Sequence, residues 1–134
     1  MILIDTSAFL ALLDMNDVYH ERATGKWVAL LSEGQDCVTN NYVVLESIAI
    51  IQKRLGMEAV QELSENLLAH VHIEWVDEAQ HAQVLRTVLE TNRRQLSFVD
   101  CSAFETMRRL DIETVFTFDS HFREEGFKVI SDSS

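Results

Sequence analysis

Short apolar runs alternate along the chain with longer segments whose apolar residues recur every three to four positions. Runs that are wholly apolar and bounded by polar residues are typical of strands buried on both faces of a parallel sheet. The pattern predicts four to five such strands, at residues 2–4, 37–39, 72–76, 114–118 and, as a short final strand, 128–130.

The segments between these strands have the spacing and the end signals of amphipathic helices. Asn40 or Asn41 is the predicted cap of one helix, Asp77 and Ser97 cap two others, and Gly56 follows a helix end. The predicted helices cover residues 8–13, 17–31, 42–55, 58–69, 77–94 and 97–110, with a short helix after residue 119.

Strand and helix alternate throughout, which predicts an α/β fold with right-handed crossovers. We therefore expect a three-layer α/β/α sandwich around a central, mainly parallel sheet of four to five strands. Proline is absent and glycine occurs only 4 times among the 134 residues, so the sequence contains no linker. A single domain over residues 1–134 is expected.

Composition narrows the class of protein. The chain is 47% hydrophobic and 25% charged, which is enough apolar material for a core without disulfides or structural zinc. Cys37 and Cys101 lie far apart and form no C-x-x-C pair, so neither a zinc knuckle nor a redox motif is predicted. With no leader sequence and no apolar run of membrane length, we expect a cytoplasmic protein without a membrane partner.

The net charge of −11 repels phosphate backbones at long range and argues against tight, nonspecific binding of nucleic acid. It is compatible with an enzyme that meets nucleic acid only locally, because clustered carboxylates are what hard cations require. It also suits a basic protein partner.

Two aspartates are each the first acidic residue after a predicted buried strand. Asp5 follows residues 2–4, and Asp119 follows residues 114–118. The carboxyl ends of parallel strands share one edge of a sheet, where functional groups gather in such folds. Each aspartate is also placed to cap the helix that follows, so neither carries the argument alone.

Two further acids lie on predicted helices. Asp100 follows Ser97 in an S-x-x-D pattern, which by itself is an ordinary capping box. Glu46 lies within V-V-L-E-S-I-A-I-I and has apolar neighbours at i−3, i+3 and i+4, with no Lys or Arg within one turn. Because a buried, unpaired carboxylate costs several kcal/mol, Glu46 needs a cation, a proton or a solvent-filled cleft.

Taken together, Asp5, Glu46, Asp100 and Asp119 can converge at one edge of the predicted sheet. Four like charges there would repel one another strongly. A bound divalent cation is the simplest compensation, and ligands that are oxygen only indicate Mg²⁺ or Mn²⁺ rather than Zn²⁺.

The same residues carry a resemblance to a known family. In order and spacing, I-L-I-D-T-S-A at residues 2–8, Glu46 in its apolar helix, S-F-V-D-C at 97–101 and V-F-T-F-D-S-H-F at 115–122 resemble the motifs of PIN-domain ribonucleases. The chain is most similar to the single-domain, VapC-like toxins of type II toxin-antitoxin systems. The resemblance covers essentially its whole length.

The resemblance implies hydrolysis of RNA phosphodiester bonds, with the catalytic metal, Mg²⁺ or Mn²⁺, held by Asp5, Glu46, Asp100 and Asp119. A cation held in this way lowers the pKa of a bound water and neutralises charge on the phosphoryl oxygens. Family members have hydroxyls beside the site, which makes Thr6, Ser7 and Thr117 candidates for contact with the substrate.

The remaining predictions concern partners. Arg93 and Arg94 precede the S-x-x-D pattern and are the predicted substrate-binding cations, while His121 is the histidine closest in sequence to the proposed site and a candidate substrate contact. The resemblance also implies a cognate antitoxin and a homodimer.

Two other functions remain open at this point. One is a non-catalytic α/β module that binds a partner or RNA and whose acids are mostly helix caps. The other is a phosphatase with Asp5 as its nucleophile, although haloacid-dehalogenase-like phosphatases have a second aspartate where this chain has Ser7.

Overall fold

The computed structural model describes residues 1–130, which contain a sheet of five parallel strands. The strands are β1 (Ile2–Ile4), β2 (Cys37–Asn40), β3 (Val71–Glu74), β4 (Thr114–Phe116) and β5 (Lys128–Val129). Their order across the sheet is β3-β2-β1-β4-β5, so β1 lies in the centre. Every pairing is parallel, in agreement with the predicted sheet.

Helices connect the strands within these residues. They are α1 (Thr6–Leu13), α2 (His20–Ser32), α3 (Asn41–Leu55), α4 (Met57–Glu62), α5 (Glu78–Thr91), α6 (Phe98–Arg109) and α7 (His121–Glu124). A π-helical turn (Leu63–Leu67) and a 3₁₀ turn (Leu68–His70) complete the connection from α4 to β3. None of the helices within residues 1–130 combines the length and the apolar character needed to cross a bilayer.

The core is built around the central strand. Leu3 and Ile4 of β1 are completely buried, as are Phe9 of α1, Met107 of α6 and Phe122 of α7. A strand that is covered on both faces must be apolar at every position, and this is the pattern that the sequence shows. The predicted α/β/α arrangement of a parallel sheet flanked by helices is confirmed.

A few element boundaries differ from those predicted. Helix α2 begins at His20 rather than at residue 17, because Asp14 and Asp17 each accept a backbone hydrogen bond two residues on and hold residues 14–19 in turns. Helix α5 ends at Thr91 because Asn92 adopts a left-handed conformation with φ 52°. The helix predicted over 58–69 changes type at Leu63, and its wider π turn faces the core with Leu63 and Leu67.

Asn40, at the end of β2, fixes the position of α6 relative to the sheet. Its Oδ1 accepts a hydrogen bond from the backbone N–H of Val43 at 2.8 Å, which caps α3 as predicted. Its Nδ2 donates to Ser102 Oγ at 3.2 Å and to Thr106 Oγ1 at 3.1 Å, both on α6. Because Asn40 is fully buried, these bonds are shielded from water and hold the helix that carries Asp100 against the end of β2.

Candidate metal centre

The candidate site begins where the carboxyl ends of β1 and β4 are hydrogen-bonded to each other. Ile4 lies opposite Phe116 in the sheet, and the backbone N–H of Asp5 donates to the carbonyl of Phe116 at 3.1 Å. The residues after both strands, Asp5 and residues 117–119, therefore lie side by side. This juxtaposition follows from the parallel register and was expected from the sequence.

The Asp5 side chain is buried, with 4% of the residue exposed, and makes no capping bond to α1. Its Oδ2 accepts hydrogen bonds from Ser7 Oγ at 3.0 Å and from Thr117 Oγ1 at 2.8 Å. The Ser7 hydroxyl also accepts from the backbone N–H of Phe118 at 2.9 Å. Two hydroxyls from different segments of the chain thus fix one carboxylate oxygen.

Burial raises the pKa of Asp5 to about 6, from an ordinary value of 3.8. Repulsion from Asp100 acts in the same direction, whereas the hydrogen bonds from Thr117 and Ser7 lower the pKa. The charge on Asp5 is therefore poorly solvated and lies within electrostatic range of a second acid.

Asp100, in the first turn of α6, forms the predicted capping box with Ser97. The Asp100 backbone N–H donates to Ser97 Oγ at 2.9 Å, and its Oδ2 accepts from the Ser97 backbone N–H at 3.3 Å. Burial and then repulsion from Asp119 raise the pKa of Asp100, while Ser97 and His121 lower it. Capping and membership of an acidic cluster are thus combined in one residue.

Asp119 and His121 complete the cluster. The backbone N–H of Asp119 donates to Thr117 Oγ1 at 3.0 Å, and Asp119 Oδ1 accepts from the backbone N–H of His121 at 2.9 Å. His121 Nδ1 lies 3.2 Å from Asp119 Oδ1 and 3.4 Å from Asp100 Oδ2. One ligand atom from each of Asp100, Asp119 and His121 lies within 4.8 Å of the other two.

These donors fit a divalent cation. His121 Nδ1 is buried and has no hydrogen-bond partner among the described residues, although it faces two carboxylates. A buried polar atom without a partner is rare and calls for an explanation such as an ion. The two carboxylates, together with water, suit Mg²⁺ or Mn²⁺.

Glu46 lies apart from this cluster of three. It lines a groove of about 440 Å³ together with Tyr42, Phe98 and Val99, next to the start of α6. It is partly exposed and forms no ion pair or hydrogen bond with residues 1–130. Glu46 thus lies in a solvent-accessible groove, which is one of the three environments that the sequence predicts for it. The role of Glu46 as a metal ligand stays a prediction.

The residues predicted to bind substrate differ in their contacts and in their exposure. The Ser7 and Thr117 hydroxyls both donate hydrogen bonds to Asp5. Thr6 is buried and accepts a hydrogen bond from Ser47 Oγ at 3.3 Å. Arg93 Nη2 lies 3.9 Å from a carboxylate oxygen of Glu124. Arg94 is exposed. Contact of these five residues, Thr6, Ser7, Thr117, Arg93 and Arg94, with RNA stays a prediction.

The surroundings of His121 differ from those that the sequence predicts. The sequence makes it a candidate contact for the substrate, whereas its ring nitrogen faces two of the predicted metal ligands. The available signal was the D-x-H spacing of Asp119 and His121 after a buried strand, which places two donors on one turn of chain.

The chain resembles known proteins over almost its whole length. A family model described as PIN domain matches residues 2–128. The 23S rRNA-specific endonuclease VapC20 of Mycobacterium tuberculosis is, in each of two strains, 30% identical over 128 residues, which are 95% of this chain and 95% of that protein.

Solved structures give the same result for the fold. The crystal structure of M. tuberculosis VapC20, described as a sarcin-ricin loop cleaving toxin, has a TM-score of 0.84 and 28% identity and covers 95% of this chain and 96% of its own. FitAcB from Neisseria gonorrhoeae has a TM-score of 0.69 at 23% identity, with 96% of each chain covered, and bears on the fold alone.

The raised pKa of Asp5 predicts how the stability of the metal-free protein depends on pH. The folded state binds this proton more tightly than the unfolded state, whose carboxyl titrates near 3.8, so protonation stabilises the fold. With EDTA present, the free energy of unfolding should increase by about 3 kcal/mol from this group as the pH falls from 7 to 3, at about 1.4 kcal/mol per pKa unit. Urea unfolding at a series of pH values measures it.

The Asp5→Asn variant is the control for this prediction. Asn carries no charge to desolvate, so the variant should be more stable than the wild type at pH 7 and should have a shallower pH dependence. A part of the dependence remains because the pKa of Asp100 is also raised. An identical pH dependence in the wild type and in Asp5→Asn would contradict the assignment.

Proposed function

We propose that this protein, which belongs to the PIN domain family, is a metal-dependent endoribonuclease that hydrolyses RNA phosphodiester bonds. The observation that carries the proposal is the convergence of Asp5, Asp100, Asp119 and His121 at the carboxyl edge of the sheet, with an unsatisfied nitrogen in their midst. Perturbed carboxylates gathered in this way are typical of catalytic sites.

Each residue has a defined task in this proposal. Asp100 and Asp119 hold the cation, Mg²⁺ or Mn²⁺, with His121 beside them and Asp5 completing the negative side of the site. Ser7 and Thr117 are positioning residues, since they fix the orientation of the Asp5 carboxylate. When bound, the cation neutralises charge that develops on the phosphoryl oxygens and makes water more acidic.

Glu46 has a different task. Its carboxylate lies in an open groove that begins at the first residues of α6, two positions before Asp100. From there it is suited to accept a proton from attacking water or to complete the ligand shell through water. Because its groove is open to solvent, Glu46 can exchange that proton with bulk water between turnovers.

We further propose that ribosomal RNA is the substrate. The support is the likeness, over 95% of the chain, to an endonuclease that is specific for 23S rRNA. The protein is the toxin of a toxin-antitoxin pair in this proposal, and its net charge of −11 favours an antitoxin with a basic segment. Addition of such an antitoxin should stop cleavage of RNA by the purified toxin.

Cleavage of purified ribosomes and of a mixed RNA pool in Mn²⁺ tests the activity. The wild type should cut at defined positions, EDTA should stop the reaction, and Asp5→Asn and Asp100→Asn should each lose about 100-fold or more of the rate. Asp77→Asn is the matched control, because Asp77 is an exposed capping aspartate on α5, away from the cluster.

Equal cleavage by the wild type and by Asp5→Asn would identify a contaminating nuclease and contradict the proposal. Binding of RNA and Mn²⁺ without cleavage by the wild type would instead favour the non-catalytic binding module. Covalent phosphate on Asp5 would favour the phosphatase.

We also propose that the protein forms a homodimer through the exposed apolar face of α3 and the end of β3. Leu45 and Trp75 are each 68% exposed, and with Val44, Ile48 and Ile73 they line a groove of about 370 Å³. Apolar patches of this kind on a small protein are typical of interaction sites.

Light scattering should give twice the chain mass of 15.4 kDa for the wild type and a single chain mass for Leu45→Glu. Leu89→Glu is the matched control, since Leu89 is also 68% exposed but lies on α5. A monomeric wild type, or a Leu45→Glu variant that remains dimeric, would contradict this interface.

A further inference from the structure

The side chain of Asn40, at the end of β2, contacts the two helices that carry Glu46 and Asp100. On the α3 side, Asn40 Oδ1 accepts a hydrogen bond from the backbone N–H of Val43 at 2.8 Å. Val43 lies three residues before Glu46 on the same helix. Asn40 is therefore attached to α3 within one turn of Glu46.

On the α6 side, Asn40 Nδ2 donates hydrogen bonds to Ser102 Oγ and to Thr106 Oγ1, at 3.2 Å and 3.1 Å. These two hydroxyls are four positions apart and so lie on one face of α6. Ser102 comes two residues after Asp100, and its Oγ donates in turn to the carbonyl of Val99 at 2.7 Å. The amide is therefore attached to α6 within one turn of Asp100.

Capping of α3 does not by itself require an asparagine at residue 40. Ser and Asp cap helices about as well as Asn does. An amide has two N–H donors in addition to its acceptor, and Asn40 uses both of them on α6. The neighbouring Asn41 differs, because its Oδ1 accepts from the backbone N–H of Val76, in the segment after β3, at 2.6 Å. The donors of Asn40 are thus the feature that joins α3 to α6.

Buried polar residues are concentrated around this joint. They come from the ends of β1, β2 and β4 and from α1, α3 and α6, and within the described residues they are Asp5, Thr6, Thr39, Asn40, Ser47, Ser102, Thr106 and Thr117. Apolar contacts hold a helix to a sheet without desolvating polar groups, whereas hydrogen bonds add a direction and a distance. A buried polar network whose members are satisfied is rigid. The acidic edge of the sheet is therefore fixed by directional bonds.

We propose that Asn40 is a positioning residue that sets the separation of Glu46 and Asp100, because it holds both of their helices on one planar group. This inference rests on the proposed ribonuclease activity, in which Asp100 holds the cation and Glu46 serves the attacking water. Because Asn40 is fully buried, it acts through these two acids and not by contact with RNA. A misplacement of about 1 Å between reacting groups is enough to cost about a hundredfold in rate.

The test compares one substitution at two neighbouring residues. Asn40→Ser removes the link to α6 and keeps an oxygen that caps α3, whereas Asn41→Ser, the matched control, loses the bond to Val76. Well below the unfolding temperature of each variant, we expect Asn40→Ser to bind Mn²⁺ about tenfold more weakly. Its kcat on a short single-stranded RNA should fall at least about tenfold with KM little changed, and Asn41→Ser should match the wild type. A merely structural role would lower only the unfolding temperature.

A double-mutant cycle tests whether Asn40 acts through α6. Ser102→Ala with Thr106→Val removes the same link from the side of α6 and leaves the cap of α3 in place. This pair should lower the affinity for Mn²⁺ about as much as Asn40→Ser does, and the triple variant should show no further loss. Independent effects would multiply to about a hundredfold and would contradict the proposed link. The pair also decides the question if Asn40→Ser does not fold.

The outcomes separate this inference from the function on which it rests. If the wild type cuts RNA and Asn40→Ser equals Asn41→Ser in kcat and in affinity for Mn²⁺, the positioning role is wrong and the ribonuclease stands. If the wild type binds Mn²⁺ without cutting RNA, the ribonuclease is wrong, and weaker binding of Mn²⁺ by Asn40→Ser still supports the positioning of Asp100. If the wild type neither cuts RNA nor binds Mn²⁺, both are wrong.

Discussion

The candidate site depends on one unfavourable placement that the fold maintains, a carboxylate with almost no access to water at the junction of β1 and β4. Burial of a charge without a partner costs several kcal/mol, and the hydroxyls of Ser7 and Thr117 offset only part of this for Asp5. A bound cation would offset this desolvation penalty, because it would neutralise the Asp5 charge at a position that water cannot reach. The same placement that costs stability therefore increases the affinity for a metal ion.

The rest of the fold positions the partners of this carboxylate. Asn40 ties α6, and with it Asp100, to the end of β2, and the pairing of β1 with β4 sets Asp119 beside Asp5. Repulsion among Asp5, Asp100 and Asp119 adds to the desolvation of the first two. The arrangement is suited to chemistry at a phosphodiester, although the net charge of −11 repels RNA at long range, because a bound cation would offset the negative charge of the site where the two meet.

Much of this could be predicted from the sequence, because parallel strands bring their carboxyl ends to one edge. That rule alone identifies Asp5 and Asp119, and S-x-x-D identifies the cap at Asp100. The direction of the His121 ring and the stacking of Tyr19 on Phe118 could not be predicted, since both depend on turns whose side-chain directions follow no periodic pattern. Glu46 was recognised by its apolar surroundings, yet its groove became visible only in three dimensions.

Calorimetric titration of the metal-free protein with Mn²⁺ tests the central claim, that these side chains together hold a divalent cation. The account predicts saturable binding by the wild type, affinity lowered at least about tenfold in Asp100→Asn and Asp119→Asn, and unchanged affinity in Asp77→Asn. Binding by Asp100→Asn and Asp119→Asn that equals that of the wild type, or no binding by the wild type, would contradict it.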